Sequence, residues 1–498
     1  MEVNSIRVAL INPGPLEGVK SQEMLQISPP LGLLYLSAVL KAENYHVDLL
    51  DLVAYQYNAT QVMKWIKQKD PDIVGFSTLI IPSSCVSAAV MAKEIKSWNP
   101  NIKIVFGNKH ATYNDVRILK KYPFIDVCVR NEGEYTFLEL INTIVKGQPL
   151  KSVRGITYSS NGNIIRNDDR ALIRNLDELP FPDRKSLKYN YKMKFGLLDL
   201  APYGFSSILA SRGCPHNCSY CYGRDYMSYR MRSPENIIDE LELLENENYR
   251  MVNFVDDNFT VNKKWGGKIC ALMKKRKIDI DWVCEGRVDQ VSLELLSSFR
   301  RSNCRAIFYG IESANQETLN YFNKKTTPAQ AELAVDKARR ARIPFIIGSF
   351  ILGAPNERIQ DIRNTLKFTW KLDIDFPFIN LLFTSPGTGI WKDLVDKQLL
   401  DEEKYWEGGV QVLDIISKAG SKNRIIGLMQ QTLREFFVRK DFIFKQIFRF
   451  FSNSYKLHAA IKVATSNIQN FRNFRGAGSF MMAKKAVNQP GEDSKTHM

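Results

Sequence analysis

Short apolar runs separated by helix-length stretches constrain the fold of this chain more than any other feature of its sequence. The first 145 residues contain five such runs, and continuous apolar character of this kind is typical of parallel strands buried on both faces. Residues 1–145 are therefore predicted to form an open, doubly wound, Rossmann-like α/β domain, whose ligands bind at the carboxyl ends of the strands. The predicted strands are Ile6–Asn12, Val47–Leu52, Asp72–Ser77, Lys103–Gly107 and Ile125–Val129, and the main predicted helices are Leu31–Asn44, Ser83–Trp98 and Glu134–Lys146.

A second series of the same kind begins at Phe205. Its six strand–helix units fall short of the eight in a complete TIM barrel, so residues 201–400 are predicted to form a partial (βα)6 barrel. Residues 146–200 are predicted to be a connector with a small hairpin and a proline-rich turn. Residues 401–485 are predicted to be a basic helical domain, and residues 486–498 a disordered tail. The predicted barrel strands are Ser206–Ala210, Val252–Val255, Trp282–Glu285, Ala306–Tyr309, Phe345–Phe350 and Ile379–Phe383.

The composition is that of a globular protein of the cell interior. Of the 498 residues, 44% are hydrophobic and 24% are charged, and no apolar run approaches the roughly 20 residues that span a bilayer. The first residues lack the basic and then apolar pattern of a signal peptide. Five of the eight cysteines are scattered through apolar stretches, so no disulfide framework is predicted and a cytoplasmic location is expected.

The other three cysteines, Cys214, Cys218 and Cys221, lie within eight residues, in the stretch SRGCPHNCSYCYG. This loop follows the first predicted barrel strand, which places it at the catalytic face of a barrel. A structural zinc site needs four ligands, and the loop is too tight for His216 to join the cysteines around one tetrahedral ion. Three thiolates suit a cuboidal iron–sulfur cluster with one iron left for another molecule. The ordinary alternative, three unrelated buried cysteines, is disfavoured by their density in a polar, turn-rich loop.

The C-x3-C-x2-C spacing resembles the signature of radical S-adenosylmethionine (SAM) enzymes. In that family three cysteines hold a 4Fe–4S cluster, and SAM chelates the fourth iron through its amino and carboxylate groups. The resemblance implies that an electron from the cluster cleaves SAM to methionine and a 5′-deoxyadenosyl radical. It also implies an electron donor such as a ferredoxin or a flavodoxin.

Segments beyond the loop also match that family. The resemblance implies that Tyr220 packs near the adenine of SAM, that Asp256 and Asp257 lie near its ammonium group, and that Arg287 meets a carboxylate. Taken singly, an Asp at a strand end is often a helix cap, and an Arg is often a surface ion-pair residue. The other implied SAM contacts are Glu312 and Ser313 at the ribose, and Gly348 and Gly353 near the adenine, where glycine permits close approach of the backbone.

The stretch Pro29–Asp51 resembles the start of cobalamin-binding domains fused to radical SAM barrels, as do GFSTLI, GNKHAT and VRNEGEYTF further along. Two residues depart from that family, because Asn108 and Asn131 stand where glycine is common. Asn tolerates left-handed backbone best among the non-glycine residues, so both turns are expected to form. The implied cobalamin contacts are Ser77, Thr78, Gly107, Asn108, Glu132 and Gly133.

Two alternatives concern the ligand of this first domain. A dinucleotide site is disfavoured, because the first strand runs into NPGPLEG and not into Gly-x-Gly-x-x-Gly. A vestigial cobalamin domain that binds nothing remains open. No Asp-x-His-x-x-Gly motif is present, so a bound cobalamin is expected to lack the lower histidine ligand which that motif supplies.

The net charge of +16 is concentrated near the carboxyl end, where residues 421–485 contain thirteen Lys or Arg and two acidic residues. Within this region Arg434–Val463 carries aromatic residues at helical spacing. One interpretation is a helix that packs on the mouth of the barrel and exposes a basic face. The other is an amphipathic helix that makes peripheral contact with an anionic membrane. Nucleic-acid binding is not expected, because no RNA-binding module is recognisable.

Together these features predict a radical SAM enzyme that uses cobalamin to methylate an unactivated carbon. The basic, aromatic-rich tail favours a hydrophobic or lipid-like substrate. Relatives of this architecture also close rings or couple carbons without net methylation, and the sequence does not separate these outcomes. The non-enzymatic alternative is a carrier of a corrinoid and an iron–sulfur cluster, which the vacant cluster corner and the SAM-type segments disfavour.

Overall fold

The structure of the chain is a computed structural model, which describes residues 6–14, 28–79, 84–195, 198–199, 204–222, 228–416, 420–452 and 455. Within these residues the chain forms two large sheets of mainly parallel strands. The predicted disordered tail, 486–498, lies outside the described residues. Residues 453, 454 and 456–485 of the predicted basic domain also lie outside them.

The first sheet has seven strands, of which the first five are parallel, as predicted. They are β1 (Arg7–Asn12), β2 (His46–Asp51), β3 (Ile73–Ser77), β4 (Lys103–Gly107), β5 (Val127–Val129), β6 (Ile156–Ser160) and β7 (Asn163–Arg166). Their spatial order is β2-β1-β3-β4-β5-β6-β7. The hairpin predicted in the connector forms β6 and β7 and extends this sheet with antiparallel pairing.

Helices cover both faces of the first sheet, as a doubly wound domain requires. Leu34 and Phe137 belong to the apolar core on one face, and Ile66 and Ile95 to the core on the other. The helices are α1 (Leu31–Ala42), α2 (Leu52–Tyr55), α3 (Ala59–Lys69), α4 (Ser84–Trp98), α5 (Asn108–Lys121) and α6 (Glu134–Val145).

The second sheet has six parallel strands in sequence order, which confirms the six predicted units. They are β8 (Phe205–Ile208), β9 (Met251–Phe254), β10 (Asp281–Arg287), β11 (Cys304–Glu312), β12 (Phe345–Leu352) and β13 (Phe376–Leu381). In the described part of the chain no ladder joins β8 to β13, so the barrel is partial, as predicted. Side chains alternate between two faces: Trp282 and Cys284 pack outward in the helix-covered core, whereas Val283 packs inward with Ala306 and Ile347.

The remaining helices surround the barrel. Their starts follow ordinary capping chemistry, as at Ser233, whose hydroxyl accepts a hydrogen bond from the Asn236 amide at 3.1 Å, with Pro234 in the first helical position. The helices are α7 (Pro234–Asn246), α8 (Lys263–Lys275), α9 (Leu293–Arg301), α10 (Gln316–Tyr321), α11 (Pro328–Arg340), α12 (Ile359–Lys371), α13 (Gly389–Asp396), α14 (Glu402–Tyr405), α15 (Lys422–Val438) and α16 (Lys440–Ser452).

The two basic carboxyl-terminal helices pack on the barrel: α15 lies along α12, and α16 lies at the amino ends of the strands. Gln446 Nε2 donates to Asp375 Oδ1 at 3.0 Å, and Arg449 pairs with Asp373. Both acidic residues precede β13, so they draw α16 to the end of the sheet opposite to the cysteine loop. The described part of this segment therefore packs on the barrel, as one interpretation predicted, but the prediction that it covers the mouth was wrong. No helix in the described ranges has the length and apolar character needed to cross a membrane.

Candidate functional site

The three cysteines lie on the loop that follows β8, at the carboxyl end of the second sheet. Cys218 is buried, Cys214 is half-buried and Cys221 is exposed. The loop folds back on itself, because the Cys221 amide donates to the Cys218 carbonyl at 3.0 Å. The Ser219 amide donates to the Phe322 carbonyl at 2.9 Å and attaches the loop to the segment after α10. The three thiols therefore share one short, tethered loop at the predicted end of the barrel.

The acidic pair after β9 divides into a buried and an exposed carboxylate. Asp256 accepts hydrogen bonds from the Ala210 amide at 3.2 Å and from the Ser211 hydroxyl. Burial raises the pKa of Asp256 to about 7. Asp257 is exposed, and its charge acts on the thiol of Cys214. Asp256 therefore anchors the segment that leads into the cysteine loop, whereas Asp257 is open to a ligand.

Tyr220 and Glu312 meet a lysine that the sequence patterns did not single out. Lys324 Nζ donates to Glu312 Oε1 at 2.8 Å and to the Tyr220 hydroxyl at 3.0 Å, and that hydroxyl donates to the same carboxylate oxygen at 3.0 Å. Burial raises the pKa of Tyr220 well above its ordinary value, so the hydroxyl stays protonated. Glu312 has a φ of 68°, a left-handed conformation that costs about 1–3 kcal/mol for a non-glycine residue. The Lys324 ion pair holds it there.

Arg287 lies beside the cysteine loop and finds its partners within the chain. Its Nε and Nη2 donate to the Asp289 carboxylate at 3.0 and 3.1 Å, and Nη2 also donates to the Lys324 carbonyl at 2.7 Å. Its Nη1 lies 3.8 Å from Cys218 Sγ. Arg287 was predicted to be a SAM contact that meets a carboxylate; in this structure it pairs with the carboxylate of Asp289, and the contact with SAM stays a prediction. At this distance the guanidinium stabilises negative charge on the cysteine loop.

Three predicted SAM contacts are surrounded by protein atoms. Ser313 is fully buried against α12. A Cβ on Gly348 would lie 2.9 Å from Ile311 Cδ1, and a Cβ on Gly353, whose φ is 93°, would lie 2.6 Å from Leu413 Cγ. Both glycines therefore permit close packing of the sheet and its neighbouring segments, and Ser313 directs its hydroxyl into that packing.

Two glutamates of the first domain bind the arginines on either side of the cysteine loop. Arg212 donates to Glu132 at 2.7 Å and to Glu134 at 2.6 Å, and Arg230 donates to Glu132 at 2.9 Å. Burial opposes ionisation of Glu132, but the hydrogen bond from Arg230 and the charge of Arg212 outweigh it and lower its pKa. The carboxylate predicted to contact cobalamin is thus engaged at the domain interface, and the neighbouring Gly133 is the N-cap residue of α6.

The carboxyl ends of β3 and β4 lie side by side. Asn108 Nδ2 donates to Ser77 Oγ at 2.9 Å, and the Thr78 hydroxyl donates to the Gly107 carbonyl at 2.8 Å. Asn108 and Asn131 have φ values of 79° and 58°, so asparagine does occupy left-handed backbone at both departures from the family pattern. Four of the six predicted cobalamin contacts therefore come together at one edge of the sheet.

This edge contacts the cysteine loop directly. Tyr113 of α5 stacks on Tyr222, the residue after Cys221, with ring centroids 5.4 Å apart. Lys109 Nζ lies 4.7 Å from the centroid of the Tyr222 ring. The helix that starts at Asn108 thus brings the first domain against the residues that carry the thiols.

Several charged residues of the site were missed from the sequence. Arg212 lies two residues before Cys214, and Asp289 lies two residues after Arg287, so proximity to a motif was a usable signal for both. Lys324 carries no such signal, because it follows α10, twelve residues after Glu312, and reaches the site only through the fold.

The donor residues fit the groups that the sequence predicts. No three His, Cys, Asp or Glu side chains of the described residues are placed to ligate one metal ion. Three thiols on one loop, with the guanidinium of Arg287 beside them, suit a cluster in which each thiolate binds a different iron. At the edge predicted to contact cobalamin, a Cβ on Gly107 would meet no atom closer than the Val129 carbonyl oxygen at 3.9 Å, so the backbone there is open to a broad ligand.

Two family models match the chain. The model of the radical SAM superfamily matches residues 208–369, and the model of the B12 binding domain matches residues 22–141. The first match contains the cysteine loop and most of the barrel, and the second contains the edge formed by β3 and β4.

The similarity to several known proteins extends over most of the chain. An uncharacterized methyltransferase of Pyrococcus horikoshii, PH0819, is 32% identical over 89% of this chain and 95% of its own length. The anaerobic magnesium-protoporphyrin IX monomethyl ester cyclase of Rubrivivax gelatinosus is 28% identical over 88% of this chain and 78% of its own. The solved structure of the radical SAM methyltransferase TsrM from Kitasatospora setae has a TM-score of 0.65 at 17% identity, with 79% of this chain and 76% of that chain covered. At that identity the likeness concerns the fold.

Proposed function

The chain belongs to the radical SAM superfamily and carries a B12-binding domain, and on that premise we propose that it methylates an unactivated carbon of a hydrophobic or lipid-like substrate. It is a cobalamin-dependent radical SAM enzyme with a 4Fe–4S cluster, SAM and cobalamin as cofactors. The observation that carries the proposal is the stacking of Tyr222 on Tyr113. It puts the cysteine loop against the corrinoid edge of the first domain, as methyl transfer between the two sites requires.

The cofactors supply the radical and the methyl group, and the residues of the chain bind, orient and enclose them. Cys214, Cys218 and Cys221 hold the cluster. Asp257, exposed beside Cys214, accepts a hydrogen bond from the ammonium group of SAM. Arg287 balances the negative charge of the thiolates, since its Nη1 lies 3.8 Å from Cys218 Sγ.

Other predicted residues act around these contacts. Tyr220 and Glu312 form one hydrogen-bonded group with Lys324 at the barrel mouth, where the nucleoside of SAM binds. Asp256 acts indirectly, by fixing the segment before the loop. Packing encloses the side-chain positions of Ser313, Gly348 and Gly353. These residues therefore take part in SAM binding through their backbone atoms.

The residues at the ends of β3 and β4 would hold the corrinoid. Ser77 and Asn108 would contact its amide side chains, Thr78 would support the edge through its hydrogen bond to the Gly107 carbonyl, and Gly107 leaves room for close approach. Glu132 and Gly133 support this edge from the domain interface.

Ring closure or carbon coupling without net methylation is the second candidate. The similarity to the magnesium-protoporphyrin IX monomethyl ester cyclase favours this candidate, because it extends over 88% of this chain and 78% of the cyclase.

The test is anaerobic incubation of the reconstituted holoenzyme with dithionite, a membrane lipid extract and SAM labelled in its methyl group. We expect 5′-deoxyadenosine and a lipid product that carries the label. Formation of 5′-deoxyadenosine with an unlabelled product supports coupling. A holoenzyme that forms no 5′-deoxyadenosine overturns both candidates. Cys218→Ala serves as the inactive control.

Membrane contact through α16 is part of this proposal. Phe444, Phe448 and Phe451 are 75%, 70% and 78% exposed and share one face of the helix, on a segment with a strong excess of Lys and Arg. Basic residues near an anionic surface each contribute about 1 kcal/mol. We expect the protein to sediment with vesicles that contain phosphatidylserine and not with pure phosphatidylcholine vesicles. Phe448→Ser should weaken this binding, and sedimentation with neither vesicle would contradict it.

The proposal also includes a ferredoxin or flavodoxin as electron donor and a cytoplasmic site of action. The net charge of +16 favours encounter with an acidic redox protein. The donor's rate of reduction of the cluster should therefore fall as the salt concentration rises. A reduction rate that does not depend on salt would contradict the proposal that charge attraction brings the donor to this protein.

A further inference from the structure

Glu285 lies in the middle of β10 and is exposed, although the other residues of that strand are buried or half-buried. Val283, two residues earlier, packs inside the barrel, and Arg287, two residues later, reaches Cys218. Alternate residues of a strand share a face, so Glu285 points into the barrel interior. Glu285 lies about 6.6 Å deeper in the barrel than Arg287, which is the residue beside the thiols.

The neighbouring wall of the barrel is apolar. Glu285 pairs in register with Phe308 on β11, which pairs with Ile347 on β12, which in turn pairs with Phe376 on β13. No residue that the structure describes donates a hydrogen bond to the Glu285 carboxylate. Water reaches the carboxylate, but the barrel wall surrounds it. This enclosure, with the charges of Asp257 and Glu312, raises its pKa to about 7.

The other carboxylates around this space have roles already. Asp256 anchors the start of the cysteine loop, Glu312 pairs with Lys324, and Asp289 pairs with Arg287. Asp257 stands at the mouth, beside the cysteine loop. Glu285 is left as a carboxylate without a partner among the described residues, in an apolar chamber below the loop. A substrate carbon must lie next to SAM, so this chamber is where the substrate extends.

We propose that Glu285 binds an amino group of the substrate and so fixes which carbon lies beneath the cysteine loop. This inference rests on the proposed function and deepens it, because it makes the substrate an apolar molecule that carries a basic nitrogen. The aromatic wall accepts the apolar part, and the carboxylate accepts hydrogen bonds from the ammonium group. A charge-assisted hydrogen bond of this kind changes affinity by about 10- to 100-fold.

The test compares two probes that differ in one group, 2-(1-naphthyl)ethylamine and 2-(1-naphthyl)ethanol. Their binding to the SAM-loaded holoenzyme is measured by calorimetry at mildly alkaline pH, where the carboxylate is ionised and the amine is protonated. We expect the amine to bind about tenfold more tightly than the alcohol or better. The preference should vanish in Glu285→Gln, remain in part in Glu285→Asp, and remain in full in Glu317→Gln, which alters an exposed glutamate on α10.

The outcomes distinguish a failure of this inference from a failure of the proposed function. A holoenzyme that forms 5′-deoxyadenosine but shows no amine preference, including the case in which neither probe binds, overturns the role of Glu285 alone. A preference that persists in Glu285→Gln overturns it too. A holoenzyme that forms no 5′-deoxyadenosine overturns the proposed function, whatever it binds. Far-UV circular dichroism checks that each variant is folded, and Glu285→Asp keeps the test valid should Glu285→Gln unfold.

Discussion

Arg212 Nη1 lies 2.7 Å from Glu132 Oε1, and this buried ion pair joins the segment before Cys214 to the first sheet. Glu134 binds the other end of the same guanidinium at 2.6 Å. Buried charges are tolerated when they are paired, and removal of one partner leaves the others uncompensated. The position of the cysteine loop therefore depends on residues some 80 positions away in the sequence.

Arg212→Met tests this dependence. We expect the free energy of unfolding to fall by about 3–5 kcal/mol, because two buried carboxylates lose a partner. Chemical denaturation of the variant and of Arg340→Met, which alters an exposed arginine, provides the comparison. Equal midpoints for the two variants would show that the interface pair contributes nothing to the fold.

Asp257→Asn is expected to weaken SAM binding without a loss of stability. The substitution removes the charge from an exposed carboxylate proposed to bind an ammonium group, so the dissociation constant should rise by about tenfold or more. Equilibrium binding to the reconstituted protein measures the change. Asp239→Asn, on the outer surface of α7, is the matched control. Unchanged affinity for SAM would remove Asp257 from the site.

Asp256→Asn is expected to change how stability depends on pH. The pKa of Asp256 is raised from 3.8 to about 7 in the folded state, so the folded state holds this proton more tightly than the unfolded chain. Ionisation of Asp256 therefore opposes folding increasingly as pH rises from about 4 to about 7, by up to about 1.4 kcal/mol per pH unit.

Unfolding of both proteins across that pH range measures the effect. The stability of wild type relative to Asp256→Asn should decline as pH rises through this window and stay constant above it. A difference that does not vary with pH would mean that the carboxyl titrates at its ordinary value.

Asn131 offers a test of backbone strain. Its φ of 58° is left-handed, so Asn131→Ala should lower the free energy of unfolding by about 1 kcal/mol, whereas Asn131→Gly should be close to neutral. Thermal or chemical unfolding distinguishes the two. Equal stability of the Ala and Gly variants would mean that the turn relaxes without strain.

The sequence predicted the sheets well because their signal is local. Apolar runs such as Ile73–Ser77 and Phe345–Leu352 can be read without knowledge of their neighbours. The cysteine spacing is equally local. The predicted and observed ends differ by a few residues, as at β5, because pairing rather than composition ends a strand.

The unpredicted features arise from contacts between distant segments. Glu132 joins Arg212 only after the two sheets have packed, and Lys324 joins Glu312 only after the segment that follows α10 has folded back on the end of β11. The burial of Asp256 and the exposure of Asp257 likewise follow from the direction in which one strand end turns. The placement of α16 depended on Asp373, an acidic residue whose partner no pattern identified.

The location of α16 has a further consequence for how the molecule meets its surroundings. Its aromatic face lies at the far end of the barrel from the thiols, beside the amino ends of the strands. A molecule that rested on a bilayer by this face would turn its catalytic opening toward the aqueous phase. A redox protein would then approach without obstruction, whereas a lipid would first have to be extracted from the leaflet and carried around the domain.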